Sequence, residues 1–477
     1  MAFLVHDARH LERPMPPVVA GGPPGRSRFR AGRRQWRVDV LQALAVASVA
    51  VAIALFLADG GAARFGDPGA ALTSLGIIAG LAATDLVLVM LLLAARVPLI
   101  ERAVGHDAAM ALHGRLGKPV LYLLLAHGAL LLAGYAAADG VDLVAEAVAI
   151  WALPDLPLAI LGISLFLAVV VSSLVAVRRR LRYEVWHLIH LLVYAAVLAS
   201  LPHQFSVGGL FAEGTWQRGY WAILTVATLA AVVAFRVVAP IAATLRHRLV
   251  VEAVEPVGLP GDGVVSVTMR GRALDRLRAT GGQFFIWRFL APGQWWQAHP
   301  YSLSAVPRGD RLRITVRALG DGSADLARLR PGTRVALEGP YGIFSEAART
   351  RPRLTLVGAG IGVTPIRSLL ESATFRPGEA TVVLRTPEPA DGWLLDEVGA
   401  LSRTRGATLI TVPGGRGRGW LTDAAEQQGL DLASLVPRVV DSDLYVCGPR
   451  GWAEGVIADA RAAGLVPEQI HHERFDW

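Results

Sequence analysis

Long apolar runs fill the first half of the chain, whereas short alternating runs of apolar and polar residues fill the second half. Each of six apolar runs approaches the roughly 20 residues that a helix needs to cross the hydrocarbon core of a bilayer. These runs cover residues 40–57, 72–93, 119–137, 156–177, 185–201 and 220–238. The pattern predicts a bundle of six transmembrane helices.

Beyond Arg248 the pattern changes to short strands separated by glycine and proline turns. Alternating residues in 264–269 and 312–316 predict a small antiparallel β-barrel. From about Arg351 onward, strands such as 354–357 alternate with helices, which is typical of a parallel α/β sheet. The predicted organisation is multi-domain: a flexible cytosolic tail (1–38), an all-α transmembrane domain (39–245), a β-barrel (246–346) and an α/β domain (347–477).

Composition and charge agree with a membrane protein. Hydrophobic residues make up 53% of the chain and charged residues 18%, whereas a soluble domain has about 45–50% and 25%. The net charge of +8 does not indicate nucleic-acid binding, because the basic residues cluster at alternate ends of the apolar runs. By the positive-inside rule, both termini are predicted to be cytoplasmic in a multi-pass protein of the plasma membrane, with the lipid bilayer as its partner.

The chain contains a single cysteine, Cys447. An internal disulfide needs two thiols, and an iron–sulfur cluster held by the protein needs several thiolates. Both are therefore excluded.

Four histidines lie in the third and fifth predicted helices. His113 and His127 are 14 positions apart, and His190 and His203 are 13 apart. Fourteen positions place two residues on one helix face, about 21 Å apart along the axis. Because both helices run outward from the cytoplasm, the histidines lie at two matching depths, and facing imidazoles at each depth predict two b-type haems. The alternative is that they link helices or form a proton relay.

Other polar residues of this half compete with these roles or modify them. A spacing of 13 turns His203 off the shared face, and we expect Pro202 to break the helix locally and re-aim the ring. His187 is a competing ligand. Asp85, inside the second apolar run, is expected to make a structural hydrogen bond, since an unpaired charge there is costly. His106, in a polar loop, is expected to face solvent.

A candidate flavin site follows an apolar strand in the second half. Its sequence is His299-Pro300-Tyr301-Ser302. A flavin needs an aromatic ring against its isoalloxazine and a hydroxyl or backbone donor near N5. Tyr301 and Ser302 offer both, so the run predicts bound FAD with these two residues in catalytic contact.

A second run after this site predicts the pyrophosphate end of the flavin cofactor. A strand delivers Arg317, and the turn that follows contains Gly320 and Ser323. Backbone N–H groups in such a turn form a concave anion site, and the Ser323 hydroxyl adds a donor. We expect these three residues to bind FAD.

A glycine-rich turn marks the predicted nicotinamide dinucleotide site. It directly follows a strand and opens a helix, and it reads Gly358-Ala359-Gly360-Ile361-Gly362-Val363-Thr364-Pro365. Glycine permits close approach of phosphate oxygens, the helix N-terminus attracts negative charge, and proline fits the first helical turn. The residues assigned to the cofactor are Gly358, Gly360, Gly362, Thr364 and Pro365.

Three further features belong to the nicotinamide end. Cys447-Gly448-Pro449 follows another strand, which is expected to place the thiol near the nicotinamide. The terminal Trp477 is expected to cover the flavin face until nicotinamide displaces it. Arg385 follows the second strand of the α/β domain, where a 2′-phosphate would lie, which favours NADPH with NADH as the alternative.

These motifs together resemble the ferric reductase and NADPH oxidase superfamily, in particular its bacterial ferredoxin-reductase-like membrane flavocytochromes b. The resemblance covers residues 41–477 and depends on the order of the histidines, His-Pro-Tyr-Ser, Gly-Pro-Tyr-Gly, the glycine turn and Cys-Gly-Pro. It implies a ferredoxin-NADP reductase-like second half. It also implies that His113 pairs with His190 at an inner haem and His127 with His203 at an outer haem.

The resemblance implies electron flow from cytosolic NAD(P)H through FAD and two haems to a small acceptor outside, either oxygen, giving superoxide, or ferric iron. A ferric-chelate reductase is an alternative to an oxidase, and a haem-free transporter or sensor with a nucleotide-binding domain is a remote one. Two departures affect the nicotinamide end: Trp477 stands where the family commonly has Phe, and Trp452 where a Met often follows Cys-Gly-Pro.

Overall fold

The computed structural model describes residues 26–207, 209–211, 213–386, 392–413, 419–421, 425 and 427–473. Within them, the chain divides into two compact units. The membrane unit comprises Val38–Ile100 and Asp107–Arg236. The second unit comprises Glu101–His106 and the described residues from Val237 onward, together with the described residues up to Arg37. It contains the half predicted to be ferredoxin-NADP reductase-like, and we call it the reductase unit.

The first half of the described chain is helical. The helices are α1 (Arg26–Ala58), α2 (Pro68–Ala94), α3 (Pro98–Ala103), α4 (His106–Asp139), α5 (Leu143–Trp151), α6 (Leu156–Ser173), α7 (Val175–Arg178), α8 (Tyr183–Ser206), α9 (Trp216–Val233) and α10 (Ala239–His247). Among the described residues, six helical spans are long and apolar enough to cross a membrane, which confirms the predicted bundle. The predicted boundary of the tail at residue 38 falls inside α1, and residues 1–25 lie outside the described residues.

Two prolines lie inside these helices rather than at their ends. Pro119, predicted as the first residue of the third span, lies inside α4, which already begins at His106. The prediction that Pro202 breaks the fifth helix is wrong, because α8 continues through it to Ser206. A proline removes one N–H donor, but membrane helices tolerate this loss where neighbouring groups satisfy the freed carbonyl.

The first part of the reductase unit is a closed antiparallel barrel with strand order β1-β2-β5-β4-β3-β6. The strands are β1 (Leu249–Pro256), β2 (Val264–Arg270), β3 (Phe284–Phe289), β4 (His299–Arg308), β5 (Arg311–Arg317) and β6 (Arg334–Tyr341), and the short helix α11 (Asp321–Ala324) follows β5. Alternate side chains of β3 (Phe285, Trp287 and Phe289) are fully buried in its core. The two segments whose alternation predicted the barrel also place alternate residues in this core, as a period of two requires. They are Val267 and Met269 of β2, and Leu312, Ile314 and Val316 of β5.

The second part of the reductase unit is a parallel sheet with strand order β11-β10-β7-β8-β9 among the described residues. The strands are β7 (Arg353–Ala359), β8 (Ala380–Thr386), β9 (Thr408–Pro413), β10 (Ser442–Cys447) and β11 (Ile470–Glu473); the helices are α12 (Val363–Ser372), α13 (Leu395–Arg405), α14 (Leu432–Leu435) and α15 (Arg450–Ala462). The strand order reverses direction at β7, and such switch points form the ligand crevice of α/β sheets. This places the glycine turn, which follows β7, at the crevice.

The segment Glu101–His106 packs inside the reductase unit, and the expectation that His106 faces solvent is wrong. His106 is 5% exposed, and its Nδ1 atom lies 3.0 Å from Glu101 Oε1. Its ring centroid lies 5.9 Å from those of Phe284 and Tyr341, which belong to the barrel. A polar local sequence predicted a solvated loop, whereas contacts with strands far along the chain bury it.

Candidate electron-transfer site

The inner pair of histidines in the membrane unit faces across a narrow gap. His113 on α4 and His190 on α8 have ring centroids 6.0 Å apart and planes inclined by 60°. An imidazole nitrogen lies about 2 Å from a metal that it binds, so a metal between two rings separates their centroids by roughly 6 Å. The spacing therefore fits an iron held from both sides. His187 lies beside Trp186, and the ring that faces His113 is that of His190.

In the outer pair, His127 Nδ1 has a hydrogen-bond partner among the described residues, whereas His203 Nδ1 has none. His203 and His127 lie close enough to interact electrostatically. The Nδ1 atom of His203 is buried without a hydrogen-bond partner among the described residues, although the Ser200 carbonyl approaches it. A buried polar atom without a partner is uncommon in a folded protein. The His127–His203 pair is thus also compatible with a bound group.

Backbone carbonyls of α2 orient both histidines of α4. His113 Nδ1 lies 3.1 Å from the Met90 carbonyl oxygen, and His127 Nδ1 lies 2.8 Å from that of Gly76. A carbonyl only accepts, so each Nδ1 must donate, and each Nε2 carries the lone pair that a metal requires. Met90 and Gly76 are 14 positions apart, as are their two histidines. Sequence reasoning missed these carbonyls, because backbone partners leave no signal in residue type.

Asp85 makes the expected structural hydrogen bond. The side chain is 1% exposed, and its Oδ1 accepts a hydrogen bond of 2.7 Å from the Ser48 hydroxyl of α1. The contact links α1 to α2 in the apolar bundle.

In the reductase unit, the predicted flavin run forms the start of β4. Tyr301 stacks against His299 with ring centroids 5.6 Å apart and an interplanar angle of 4°. Trp287 of β3 donates from its indole nitrogen to the Tyr301 carbonyl at 3.0 Å. Burial raises the pKa of the Tyr301 phenol above its ordinary value. Tyr301 is therefore a neutral aromatic surface at any physiological pH.

Several buried polar atoms around Tyr301 have no partner among the described residues. They are Ser302 Oγ, His299 Nε2 and Gln297 Oε1. Such atoms carry a desolvation cost unless a ligand satisfies them. Together with the stacked rings, they fit FAD, whose ring edge and ribityl chain are rich in donors and acceptors. Gln297 was not predicted as a residue of this site. Its side chain lies against the turn that contains Gly322, and this contact between distant segments has no sequence signal.

In the predicted pyrophosphate turn, the candidate phosphate-binding groups form hydrogen bonds with one another. The Ser323 hydroxyl accepts hydrogen bonds from Leu319 N and Gly320 N at 2.9 and 3.1 Å. The hydroxyl and these two N–H groups therefore stabilise the turn itself, so their predicted role in phosphate binding would require the turn to rearrange. The Arg317 guanidinium lies 5.0 Å above the Trp393 ring.

Trp393 is a residue of this site that sequence reasoning missed. Its indole N–H donates to Asp262 Oδ2 at 2.9 Å, and this hydrogen bond lowers the pKa of that carboxyl. Trp393 belongs to the α/β part, whereas Arg317 and Asp262 belong to the barrel, so the indole links the two parts of the reductase unit. A lone tryptophan in a loop has no pattern that would have predicted this contact.

The glycine turn requires glycine at two positions. Gly360 has φ +57, a conformation that side chains disfavour, and a Cβ atom at Gly362 would lie 2.1 Å from the Cys447 carbonyl oxygen. Helix α12 begins directly afterwards, and the Thr364 hydroxyl donates to the Ile361 carbonyl at 2.9 Å. Gly358 pairs with Cys447 across the sheet. The predicted turn and the predicted Cys-Gly-Pro run are thus brought together.

Cys447 is fully buried at the end of β10. Burial, with a contribution from the neighbouring Glu473, raises the pKa of the thiol well above its ordinary value. Cys447 is therefore a neutral thiol rather than a nucleophile. Trp452 lies against the next residue, since a Cβ atom at Gly448 would be 2.7 Å from its ring. The indole of Trp452 donates to the Trp420 carbonyl at 2.9 Å.

The remaining predicted residues are Arg385 and Trp477. Arg385 lies within β8, rather than after the strand as predicted, and it pairs in register with Ala359 of the glycine turn. The Arg385 Nη1 atom donates to the carbonyls of Gly419 and Trp420 at 3.2 and 2.9 Å, which directs the guanidinium to the backbone beyond β9. Trp477 lies outside the described residues.

A chain of ion pairs joins the barrel to the α/β part. Glu397 of α13 receives two hydrogen bonds from Arg313 of β5, at 2.7 and 2.9 Å, and one from Arg367 of α12 at 2.8 Å. Arg367 also pairs with Glu371, which in turn pairs with Arg308 of β4 at 2.6 Å. These contacts fix the orientation of the two parts around the crevice.

Comparison with known proteins gives two family matches. Residues 79–201 match the family described as "Ferric reductase like transmembrane component", and residues 253–345 match "FAD-binding domain". With the six spans, the barrel and the α/β sheet, these matches define a flavin-dependent transmembrane oxidoreductase.

Individual relatives agree with this class. The chain is 28% identical over 187 residues to a flavohemoprotein of Vibrio cholerae, which is 37% of this chain and 45% of the relative. It is 34% identical over 109 residues to NADPH oxidase 1 of Mus musculus, which is 22% of this chain and 18% of the relative. The chain belongs to the ferric reductase and NADPH oxidase superfamily. It spans less than half of the length of each of these two relatives.

One solved structure that the chain matches is the flavohem-like FAD/NAD binding domain of nitric oxide dioxygenase from Vibrio cholerae O1 biovar El Tor. It is 20% identical, with a TM-score of 0.37, and covers 48% of this chain and 98% of that chain.

Proposed function

We propose that this protein moves electrons from NAD(P)H through FAD and two b-type haems to a small acceptor on the other side of the membrane. The observation that carries the proposal is the separation of 6.0 Å between the His113 and His190 rings. His127 and His203 would hold the second haem. The acceptor would be oxygen, giving superoxide, or ferric iron.

The bound cofactors would supply the redox chemistry: FAD takes a hydride and releases single electrons, and haem iron accepts one electron at a time. The protein binds and orients them. Tyr301 offers a neutral aromatic face, and Ser302 offers a buried hydroxyl without a partner among the described residues. Gly360 and Gly362, which have no side chains, would leave room for the dinucleotide phosphates. The Cys447 backbone lies beside the glycine turn, and its thiol is buried and uncharged.

An anaerobic absorbance spectrum before and after addition of NADPH tests this proposal. We expect the purified protein to show six-coordinate low-spin b-type haem that is reduced by NADPH. Protein that contains flavin but no haem would contradict the proposal. It would favour the haem-free transporter or sensor, for which His127→Leu leaves the absorbance unchanged.

A ferric-chelate reductase is the second candidate, since the transmembrane match is described as ferric reductase like. The match to NADPH oxidase 1 favours the oxidase instead. The two differ only in the acceptor. Superoxide formation and chelated-iron reduction, measured on the same reconstituted vesicles with NADPH, distinguish them.

The same proposal includes a topology and a nicotinamide preference. Basic residues cluster in alternate connections, which supports cytoplasmic termini in the plasma membrane. Arg385, near the carboxyl end of β8, supports NADPH over NADH, because a 2′-phosphate would lie beyond this end of the strand. Steady-state rates with each nucleotide test the preference, and faster turnover with NADH would reverse it.

A further inference from the structure

The His127 ring rests on two glycines of α2. Its Nδ1 atom lies 2.8 Å from the Gly76 carbonyl oxygen. A Cβ atom at Gly80 would lie 2.5 Å from that same nitrogen and 2.7 Å from Cε1 of the ring. Gly76 and Gly80 are four positions apart, so they share one face of the helix. We call this pair the glycine seat.

His203, at the same level, has no comparable support. Its Nδ1 atom is buried and has no hydrogen-bond partner among the described residues. The Ser200 carbonyl approaches His203 without a hydrogen bond of normal geometry. The two rings of the outer pair are therefore held in different ways.

We propose that the glycine seat positions His127 as a ligand; this role depends on the haem binding proposed above. By accepting the Nδ1 proton, the Gly76 carbonyl fixes the tautomer in which Nε2 carries the lone pair. A metal-bound histidine that donates its other N–H in this way is held in orientation and becomes a stronger ligand. Gly80 permits the approach, because any larger residue would occupy the space of the ring.

Replacing each ligand by a soluble imidazole tests the seat. The matched variants are His127→Gly and His203→Gly, purified as full chains and titrated with imidazole or with 1-methylimidazole. Both compounds bind iron, but 1-methylimidazole has no N–H to donate. In His127→Gly, we expect 1-methylimidazole to restore the low-spin band only at a concentration at least about fivefold higher than imidazole. In His203→Gly, we expect similar concentrations of the two. If imidazole and 1-methylimidazole restore the band of His127→Gly at equal concentrations, the proposed role of the glycine seat is wrong.

A second pair of variants tests the steric part without removing a ligand. Gly80→Ala places a methyl group in the space of the ring, whereas a Cβ atom at Gly128, beside His127, would have no neighbour within 4 Å. We expect Gly80→Ala to lower the haem content from two towards one per chain at unchanged FAD content, and Gly128→Ala to keep both haems. If Gly80→Ala retains two haems with unaltered reduction potentials, the proposed role of the glycine seat is wrong. Wild-type protein without haem would instead overturn the proposed function.

Discussion

The histidines of the membrane unit and the arginines between the two parts of the reductase unit are oriented by different kinds of partner. In the membrane unit, His113 and His127 bond to backbone carbonyls. In the reductase unit, Arg313 bonds to a carboxylate, and Arg317 lies over an indole ring. A charged partner is costly inside a bilayer, whereas a helix carbonyl brings no charge. The interface between the barrel and the α/β part of the reductase unit is partly exposed. Charged side chains there stay partly solvated, so an ion pair carries a smaller desolvation cost.

The largest effect should follow from removing a ring of the inner pair. In His113→Leu, one side of the gap of 6.0 Å loses its ligand. We expect loss of one haem and of electron transfer to the external acceptor, with FAD retained. The ratio of haem to flavin in the purified protein measures this. The control is His187→Leu, which should keep both haems; a full complement of haem in His113→Leu would contradict the pairing.

A smaller effect is expected where the reductase unit depends on backbone packing, as the membrane unit does. In Gly362→Ala, the new Cβ atom would lie 2.1 Å from the Cys447 carbonyl oxygen, so the turn must move. Overpacking of this kind costs about 1–3 kcal/mol, and we expect a higher KM for NADPH together with a lower Tm. Gly451→Ala is the control, because a Cβ atom there meets nothing within 4 Å. An unchanged KM in Gly362→Ala would contradict the assignment of the glycine turn to the nucleotide site.

The ion pairs between the barrel and the α/β part should contribute less to the free energy of unfolding. Glu397 is 35% exposed, so Glu397→Gln should lower the free energy of unfolding by only about 1 kcal/mol. Burial of Glu397 opposes ionisation, but hydrogen bonds from Arg313 and the charges of Arg313 and Arg367 hold its pKa below the ordinary value.

This lowered pKa makes the contribution depend on pH. A carboxyl with a depressed pKa stabilises the fold above its unfolded pKa, about 4.3, and loses that contribution as pH falls through the folded value. We therefore expect the difference between wild type and Glu397→Gln to be constant near pH 7 and to shrink below about pH 4. Flavin release on heating measures it, and a difference that grows in acid would contradict the ion-pair explanation.

The smallest effect is expected at Trp393. Trp393→Phe keeps an aromatic face for Arg317 but removes the N–H that Asp262 accepts. We expect a modest rise in the Kd of FAD, with haem content unchanged. Trp393→Ala, which removes both contacts, should bind FAD more weakly than Trp393→Phe. If wild type, Trp393→Phe and Trp393→Ala bind FAD equally, the contacts of Trp393 with the barrel do not support the flavin site.

The amino-acid sequence alone determined the six spans, the change to a barrel at Arg248 and the glycine turn before α12. Each is a local signal: the length of an apolar run, a period of two, or glycines directly after a strand. It also indicated which histidines share a helix face. It did not indicate that α8 would continue through Pro202, because that outcome depends on what surrounds the freed carbonyl.

The groups that orient the site become apparent only when the helices and strands are packed together. The carbonyls of Met90 and Gly76, the indole of Trp393 and the burial of His106 all depend on segments that are distant in sequence. A backbone carbonyl is present at every residue, so residue type cannot reveal which one accepts a bond from an imidazole. The physical reason is the same in both units: periodicity specifies an element, but packing between elements selects the partner of each polar atom.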